Sequence, residues 1–478
     1  MSLERDALAG LKWGSIAKVA GQITTWAMTL AVLRLLSPQD YGPMALCMVV
    51  VSVLTGVAEF GLSLSLVQTT NLDQRQLTRV AGAIFTLNIS AGLVMALGAP
   101  LLAKLLGDAA LTPLLQVLSL HFVFPAIDTV PYSLTYRSMR FKRLAGVEVA
   151  VTMLGGLSTL ALAWIGAGVW ALIVGNLLSA CLRTVLYVSL GGFVRPSFDF
   201  RGIGPHMRFG GVVTITRLIW QLTSQADLLI AGRVFRPDAV GEYSVSTHLA
   251  TLPMSKVMGI VNQAAFPTVA RLQDELVRLR QLLLRSLRLL AAAAIPTMWG
   301  LSSVAEEFVD VVLGEQWQRA TIPLQVVSFV MPLRMLQAVF ATVLTGMGRA
   351  DVELRNTIIG AVILPAAFLI GAEGGLNGLA LAWLAGAPIV LAMNLPRTLR
   401  IFGFAVLELF TAFRAPLLAG VAMYGAVAGA RLLLDDAEEW VRLPVLIAIG
   451  GVVYLAVVRL ADQALWLDFR KLTTALRG

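Results

Sequence analysis

Fourteen apolar stretches, separated by short polar connections, constrain this chain more than any other feature of its sequence. A helix needs about 17–25 residues to cross the hydrocarbon core of a bilayer, and each stretch approaches or exceeds that length. Since 58% of the residues are hydrophobic and 14% charged, no soluble core could hold them. The sequence therefore predicts an all-α polytopic membrane protein. The predicted spans are residues 13–36, 41–68, 80–103, 111–134, 145–165, 168–190, 209–232, 241–268, 286–305, 320–346, 356–372, 375–395, 411–432 and 442–461.

The positions of lysine and arginine predict which loops face the cytoplasm. With the N-terminus inside, 25 of the 37 basic residues fall on the cytoplasmic side, seven fall in the opposite loops and five lie within spans. Short cytoplasmic loops are enriched in lysine and arginine, so this distribution predicts that both termini are cytoplasmic. The count depends on two very short turns, at residues 166–168 and 371–375, which divide neighbouring spans. The first stretch is too long for a signal peptide and is expected to remain as a helix.

A sequence pattern recurs in the two halves of the chain. Residues 34–42 (RLLSPQDYG) recur as residues 233–241 (RVFRPDAVG), at an offset of 199. At the same offset, a cation-x-x-x-Gln-x-Thr pattern recurs in the first and seventh spans. Because each copy contains six spans, the repeat predicts two parallel six-helix lobes. We assign these lobes to residues 1–195 and 196–405, and two additional helices with a cytoplasmic tail to residues 406–478.

Motifs of several other function classes are missing from the sequence. It contains no G-x-x-x-x-G-K-[ST] loop for nucleotide phosphates, and its three histidines are too scattered for a zinc motif. Its basic residues form no face with interleaved aromatic residues of the kind that binds nucleic acid. We therefore expect a transporter and not an enzyme, with no catalytic residue, metal, cofactor or nucleic-acid partner.

Charged side chains within spans are the main candidates for a substrate site. Each costs about 2.5–3.5 kcal/mol on insertion scales, and such residues usually face the protein interior or a water-filled cavity. Snorkelling to the membrane surface is an alternative for residues near span ends and is hardest near the middle of a span. The predicted substrate-binding cations are Lys18, Arg217, Lys256 and Arg334, with Gln22 and Gln221 as polar residues of the same cavity.

Three acidic residues, Glu59, Asp128 and Asp227, also lie within predicted spans. They are either counter-ions for embedded cations or carriers of a coupling ion, and the sequence leaves both functions open. A fifth embedded cation, Arg183, is as compatible with snorkelling or an interhelical ion pair as with substrate contact. Five cations against three acids favour an anionic substrate, such as a phosphate head group, over a cationic drug.

Arginines and leucines are interleaved in residues 271–288. This pattern is typical of an amphipathic helix at the membrane surface, held there by anionic lipids. Prolines within spans, among them Pro332 and Pro388, remove backbone hydrogen bonds and permit kinks.

Four segments of the first six predicted spans form a set: residues 34–42 (RLLSPQDYG), 60–68 (FGLSLSLVQ), 136–142 (YRSMRFK) and 166–172 (GAGVWAL). Together they resemble the Wzx-type polysaccharide flippases of the multidrug/oligosaccharidyl-lipid/polysaccharide exporter superfamily. The resemblance implies alternating-access transport of an undecaprenyl-diphosphate-linked oligosaccharide, a repeat unit of exopolysaccharide, capsule or lipopolysaccharide O-antigen. The direction would be from the cytoplasmic to the periplasmic leaflet of the bacterial inner membrane.

The same resemblance implies particular residues and partners. The cation function of the family's cavity would fall on Lys18, Arg217 and Lys256, whereas Arg334 is inferred from its depth in the span. The expected partners are the undecaprenyl-diphosphate-linked glycan and membrane lipids, together with a polysaccharide polymerase and a chain-length regulator.

Two other functions remain open on the sequence alone. A multidrug or organic-cation antiporter of the same superfamily would share the topology and the repeat, but it predicts a cavity dominated by acidic and aromatic side chains. A membrane-embedded glycan polymerase or ligase is the second, and functional arginines in an external loop, such as Arg233 and Arg236, would support it. Similarity of fold does not decide among these functions.

Overall fold

The computed structural model describes residues 26–59, 62, 66, 73–138, 140–201, 214, 218–272 and 275–467. Among these residues, helices are joined by turns and short connections. Eleven of the described helices are long and apolar enough to cross a membrane. The chain is therefore a multi-pass, all-helical membrane protein.

A described helix occurs at the position of each predicted span. The helices are α1 (Trp26–Leu35), α2 (Pro38–Glu59), α3 (Gln74–Leu106), α4 (Leu111–Arg137), α5 (Phe141–Trp164), α6 (Val169–Gly191), α7 (Ala226–Val234), α8 (Pro237–Leu272), α9 (Leu276–Ser303), α10 (Thr321–Gly346), α11 (Ala350–Ala372), α12 (Gly375–Phe402), α13 (Val406–Leu433) and α14 (Glu439–Ala461). These bounds agree with fourteen spans, but α1, α7 and α8 are not among the eleven helices that are long and apolar enough to cross a membrane as described, so the full count stays a prediction.

The described helices cluster into two compact units, Met1–Gly241 and Glu242–Gly478. The boundary lies within α8, so the first five residues of this helix belong to the first unit. The lobes assigned from the sequence repeat, residues 1–195 and 196–405, remain a prediction.

In the first unit, the two copies of the repeated motif pack against each other. A Cβ atom added to Gly42 would lie 1.9 Å from the carbonyl oxygen of Pro237. A Cβ atom added to Gly241 would lie 1.9 Å from the carbonyl oxygen of Pro38. Cβ atoms do not approach other atoms so closely, so this contact requires glycine at the end of both motif copies.

The connection that follows α6 crosses the beginning of α3. The Ser197 N–H donates to the Thr78 carbonyl at 2.8 Å, and the side chain of Arg79 pairs with the Asp199 carboxylate. A backbone hydrogen bond from Arg201 lowers the pKa of Asp199 below its ordinary value of 3.8, and the Arg79 guanidinium lowers it further. An exposed ion pair therefore fastens this connection to α3.

In the second unit, the arginine-rich segment is the beginning of the long helix α9. Leu279, Leu283 and Leu287 are buried in a core cluster that also contains residues of α10 and α12. Arginines of this segment pair with acids, Arg280 with Glu408 and Arg288 with Asp462 among them. Residues 276–288 are therefore the first part of a 28-residue helix whose leucine stripe packs against protein, and their position at the membrane surface stays a prediction.

A buried ion cluster joins the C-terminal helices to the end of α9. Glu307, in the short helix Ala305–Phe308, is 0% exposed, and Arg431 donates to both of its carboxylate oxygens, at 2.7 and 2.8 Å. Arg442 lies 3.2 Å from the same carboxylate. Since Arg431 is in α13 and Arg442 is in α14, the carboxylate of Glu307 contacts an arginine from each of these two helices.

Candidate functional site

The described residues include part of the predicted site. Lys18, Gln22 and Arg217 lie outside them, and α8 contains Lys256 with its side chain likewise outside the description. The structure places Arg334, Gln221, Glu59, Asp128 and Asp227. The structure shows the surroundings of these five residues, and the functions predicted for all nine residues stay predictions.

Arg334 lies on α10, two residues after a proline. Pro332 lacks the N–H that would donate to the carbonyl of Ser328, so the helix loses one backbone hydrogen bond just before Arg334. The hydroxyl of Ser328 is also buried without a hydrogen-bond partner in the described structure. The embedded arginine therefore lies beside a local break in the hydrogen bonding of its own helix.

The guanidinium of Arg334 lies over the indole of Trp383. Its central carbon is 4.2 Å from the ring centre, well inside the range of about 6 Å for cation–π contacts. Trp383 belongs to α12 and is 1% exposed, so the ring forms a fixed surface within the protein. The contact is one between a cation and the negative face of an aromatic ring.

An apolar groove of about 500 Å³ lies in the second unit. Four helices line it, and representative residues are Leu287 of α9, Phe329 and Leu333 of α10, Leu384 of α12 and Phe413 of α13. Trp299 stacks on Phe329 with the ring centres 4.7 Å apart, which adds aromatic surface to the lining. Lining residues such as Phe410 are more than half exposed, so the groove opens at the protein surface. This shape and composition suit a hydrocarbon chain.

The embedded cation and the groove belong to the same two helices. Leu333 and Met335, the neighbours of Arg334, line the groove, and so does Leu384, the neighbour of Trp383. The groove residues of α10 recur on one face of the helix, and Arg334 lies about half a turn away from that face. The guanidinium and the apolar groove are therefore separate features of the second unit that share helix α10.

The remaining described residues of the predicted site lie in the first unit. Asp128 of α4 is buried, accepts a hydrogen bond from Thr184 at 2.9 Å and lies 3.6 Å from Nε of Arg183. Of the two functions left open for Asp128, the structure shows the contacts of a counter-ion. The amide of Gln221 donates to Ser52 of α2 at 3.1 Å, within the first unit.

The other two acids occupy helix ends. Asp227 is buried in the first turn of α7, where its carboxylate accepts the N–H of Leu228 at 2.8 Å. Glu59 is exposed at the last residue of α2. In the described structure, each of these acids occupies its own helix, and no metal-ligand cluster is found among the described side chains.

Nothing in the sequence indicates that Trp383 or the groove belongs to a site. A tryptophan within an apolar stretch reads as an ordinary core residue, and the groove is lined by leucine, valine, alanine, proline and aromatic residues that read as membrane-spanning surface. The usable signal was the depth of Arg334, because an arginine in mid-span requires a specific neighbour.

The chain is similar to proteins named for polysaccharide biosynthesis and transport. Residues 31–322 match the family described as "Polysaccharide biosynthesis protein". The lipopolysaccharide biosynthesis protein WzxC of Escherichia coli (strain K12) is 26% identical over 396 residues, which cover 80% of this chain and 79% of that protein. The succinoglycan biosynthesis transport protein ExoT of Rhizobium meliloti (strain 1021) is 28% identical over 472 residues, which cover 95% and 92%.

A solved structure shares the fold. The lipid II flippase MurJ, in an inward closed conformation, aligns with a TM-score of 0.74 at 14% sequence identity. The alignment covers 94% of this chain and 99% of that chain. The all-helical architecture expected from the sequence is therefore confirmed, and it is shared with that solved structure.

Proposed function

The chain belongs to the polysaccharide biosynthesis protein family, and we propose on this basis that it is a flippase for an undecaprenyl-diphosphate-linked oligosaccharide. It moves the lipid-linked repeat unit of an exopolysaccharide, capsule or O-antigen from the cytoplasmic to the periplasmic leaflet. The names of its relatives, a lipopolysaccharide biosynthesis protein and a succinoglycan transport protein, support this substrate class.

The observation that carries the proposal is the arginine embedded in mid-span on α10, together with an apolar groove that the opposite face of the same helix lines. The substrate is an amphiphile with both chemistries, since a diphosphate separates its sugar from a long polyprenyl chain. We propose that the guanidinium meets the phosphate and that the groove takes a more distant part of the hydrocarbon. A drug cation would instead require an acidic partner where this structure has an arginine.

Translocation requires that the diphosphate leave water without a prohibitive loss of hydration energy. An isolated charge in hydrocarbon is strongly disfavoured, and fixed cationic donors within the protein replace its water. Arginine binds phosphate through two parallel N–H···O bonds, which are about twice as strong as hydrogen bonds between neutral groups. We propose that Lys18, Arg217 and Lys256 provide further cations for the diphosphate in addition to Arg334.

We further propose the membrane, the topology and the partners. The protein resides in the bacterial inner membrane with both termini in the cytoplasm, as the distribution of lysine and arginine favours. Residues 1–195 and 196–405 form the two lobes of an alternating-access transporter, with residues 406–478 appended. A polysaccharide polymerase and a chain-length regulator use the product on the periplasmic side.

A deletion strain tests the proposal directly. We expect it to accumulate the lipid-linked oligosaccharide on the cytoplasmic face and to lose the surface glycan, and the wild-type gene should restore both. Arg334→Ala should restore transport about 10- to 100-fold less well, because a charge-assisted hydrogen bond contributes about 1.5–3 kcal/mol. The measurement is the glycosidase-accessible fraction of the lipid-linked sugar in spheroplasts.

The matched control is Arg278→Ala. Arg278 is an exposed arginine of the same unit, paired with Glu275 at 3.4 Å, and its removal should leave transport at the wild-type level. Normal surface glycan and raised drug sensitivity in the deletion strain would instead identify a multidrug antiporter. Correctly exposed but unpolymerised repeat units would identify a polymerase.

A further inference from the structure

The tryptophan beneath Arg334 is itself held in place by other helices. Its indole N–H donates to the hydroxyl of Tyr243 at 3.1 Å, and Phe368 contacts the ring edge-on at a centre-to-centre distance of 4.8 Å. Tyr243 is 0% exposed and belongs to α8, whereas Phe368 belongs to α11. The indole plane is therefore fixed by contacts with two helices besides its own.

A fixed indole restricts the position of the guanidinium above it. The central carbon of the guanidinium lies 4.2 Å from the ring centre, so the group cannot move away from the indole without losing the cation–π contact. The five N–H donors of a guanidinium lie in one plane and point outward from its edge. The ring thus limits the positions from which Arg334 can donate paired hydrogen bonds.

We propose that Trp383, itself held by Tyr243, is a positioning residue that orients Arg334 for two-point binding of the lipid-linked diphosphate. This inference rests on the proposed function, because it assigns Arg334 a phosphate ligand. It also explains why arginine rather than lysine occupies the position. A lysine ammonium is a point charge without a plane, so the indole could attract it but could not orient it.

Binding to the purified full-length protein in detergent tests the inference with two probes. Undecaprenyl diphosphate carries the anionic group and the chain, and undecaprenol carries the chain alone. We expect Trp383→Leu to weaken undecaprenyl diphosphate binding about tenfold and to leave undecaprenol binding unchanged. Trp383→Phe retains a ring and should recover most of the affinity, and Tyr243→Phe, which loses only the hydroxyl, should weaken binding about two- to threefold.

A double-variant cycle separates positioning from a general loss of folding. Once Arg334→Ala has removed the guanidinium, adding Trp383→Leu should cause no further loss of undecaprenyl diphosphate affinity. Trp440→Leu, at a tryptophan that is 67% exposed, is the matched control and should bind both probes as the wild type does. If Trp383→Leu weakens both probes equally, the tryptophan is merely structural and the inference is overturned.

The remaining outcomes distinguish the inference from the function on which it rests. If Arg334→Ala weakens undecaprenyl diphosphate binding and Trp383→Leu and Tyr243→Phe do not, the inference fails and the proposed function stands. If the wild-type protein binds undecaprenol as tightly as undecaprenyl diphosphate, the proposed function fails first and the inference fails with it. If Trp383→Leu does not fold, the binding of undecaprenyl diphosphate and undecaprenol is compared in the same way for Trp383→Phe and Tyr243→Phe, and that comparison tests the inference.

Discussion

The two units of this protein each hold an arginine within a membrane helix, and they surround it differently. In the first unit, Nε of Arg183 lies 3.6 Å from the carboxylate of Asp128. In the second unit, the guanidinium of Arg334 lies over the indole of Trp383. One contact supplies a full negative charge and the other supplies only the negative face of an aromatic ring.

The difference lies in the charge that each described partner carries. The ion pair of Arg183 and Asp128 joins α4 and α6 through two opposite charges. The contact between Arg334 and Trp383 also joins two helices, but the indole contributes no formal charge. Arg334 also lies nearer the middle of its span than Arg183, so the two arginines differ both in depth and in the type of partner.

Three carboxylates that pair with arginines extend this comparison, because the three ion pairs differ in their exposure to water. Glu307 is fully buried between two arginines, Asp128 is buried beside an arginine that is 35% exposed, and Asp199 is 43% exposed. Because water screens and replaces an exposed partner, the contribution to stability should decrease in that order.

Glu307→Ala should produce the largest effect. It leaves Arg431 and Arg442 without their shared carboxylate, and the loss of one partner from a buried ion pair typically costs about 3–5 kcal/mol. The denaturation midpoint in detergent measures the change. Glu306→Ala is the control, since Glu306 is 57% exposed and lies 3.8 Å from Arg431. Equal denaturation midpoints for the two variants would show that burial does not determine how much each ion pair contributes to stability.

Asp128→Ala should have an intermediate effect. We expect a loss of about 1–3 kcal/mol, less than for a fully buried pair because solvent reaches Arg183. The double variant Asp128→Ala with Arg183→Leu should recover part of this loss, because no unpaired charge remains. It should also transport at close to the wild-type rate, unlike Arg334→Ala. Loss of transport in a stable double variant would mean that the first-unit pair also serves the substrate.

The pair of Arg79 and Asp199 should have the smallest effect, and it should depend on pH. Because the folded protein lowers the pKa of Asp199, the contribution to stability is complete above the ordinary value of 3.8 and is lost as the pH falls through the lower folded-state pKa. Hydrogen exchange of the Ser197 amide reports the attachment of the connection to α3. Asp199→Asn should exchange faster at neutral pH and lose the acid dependence below pH 3.8.

The helices could largely be predicted from the sequence. The turns that decide the topology are real: α5 ends at Trp164 and α6 begins at Val169, after glycines with positive φ at residues 166 and 168. The second division, between α11 and α12, falls at residues 373–374. Apolar length and glycine are local signals, and they are strong in membrane proteins because every spanning segment must satisfy its own backbone.

The surroundings of the helices could not be predicted in the same way. The leucine stripe of α9 looks identical whether it faces lipid or protein, and only packing shows that Leu283 is buried against the second-unit core. Likewise, the depth of Arg334 indicated a site, but the indole that holds it comes from α12, 49 positions further along the chain. Contacts between distant helices carry no periodic signal in a single sequence.

The packing of Gly42 against Gly241 has one more consequence. Each glycine makes room for the proline carbonyl of the other motif copy, at the same distance of 1.9 Å from an added Cβ atom. This is the isologous geometry of a two-fold dimer interface, in which one surface meets its own copy, yet both copies belong to a single chain. Both surfaces of this interface are therefore encoded by one gene. Neither surface can change alone, because a side chain at either glycine would displace the other motif copy.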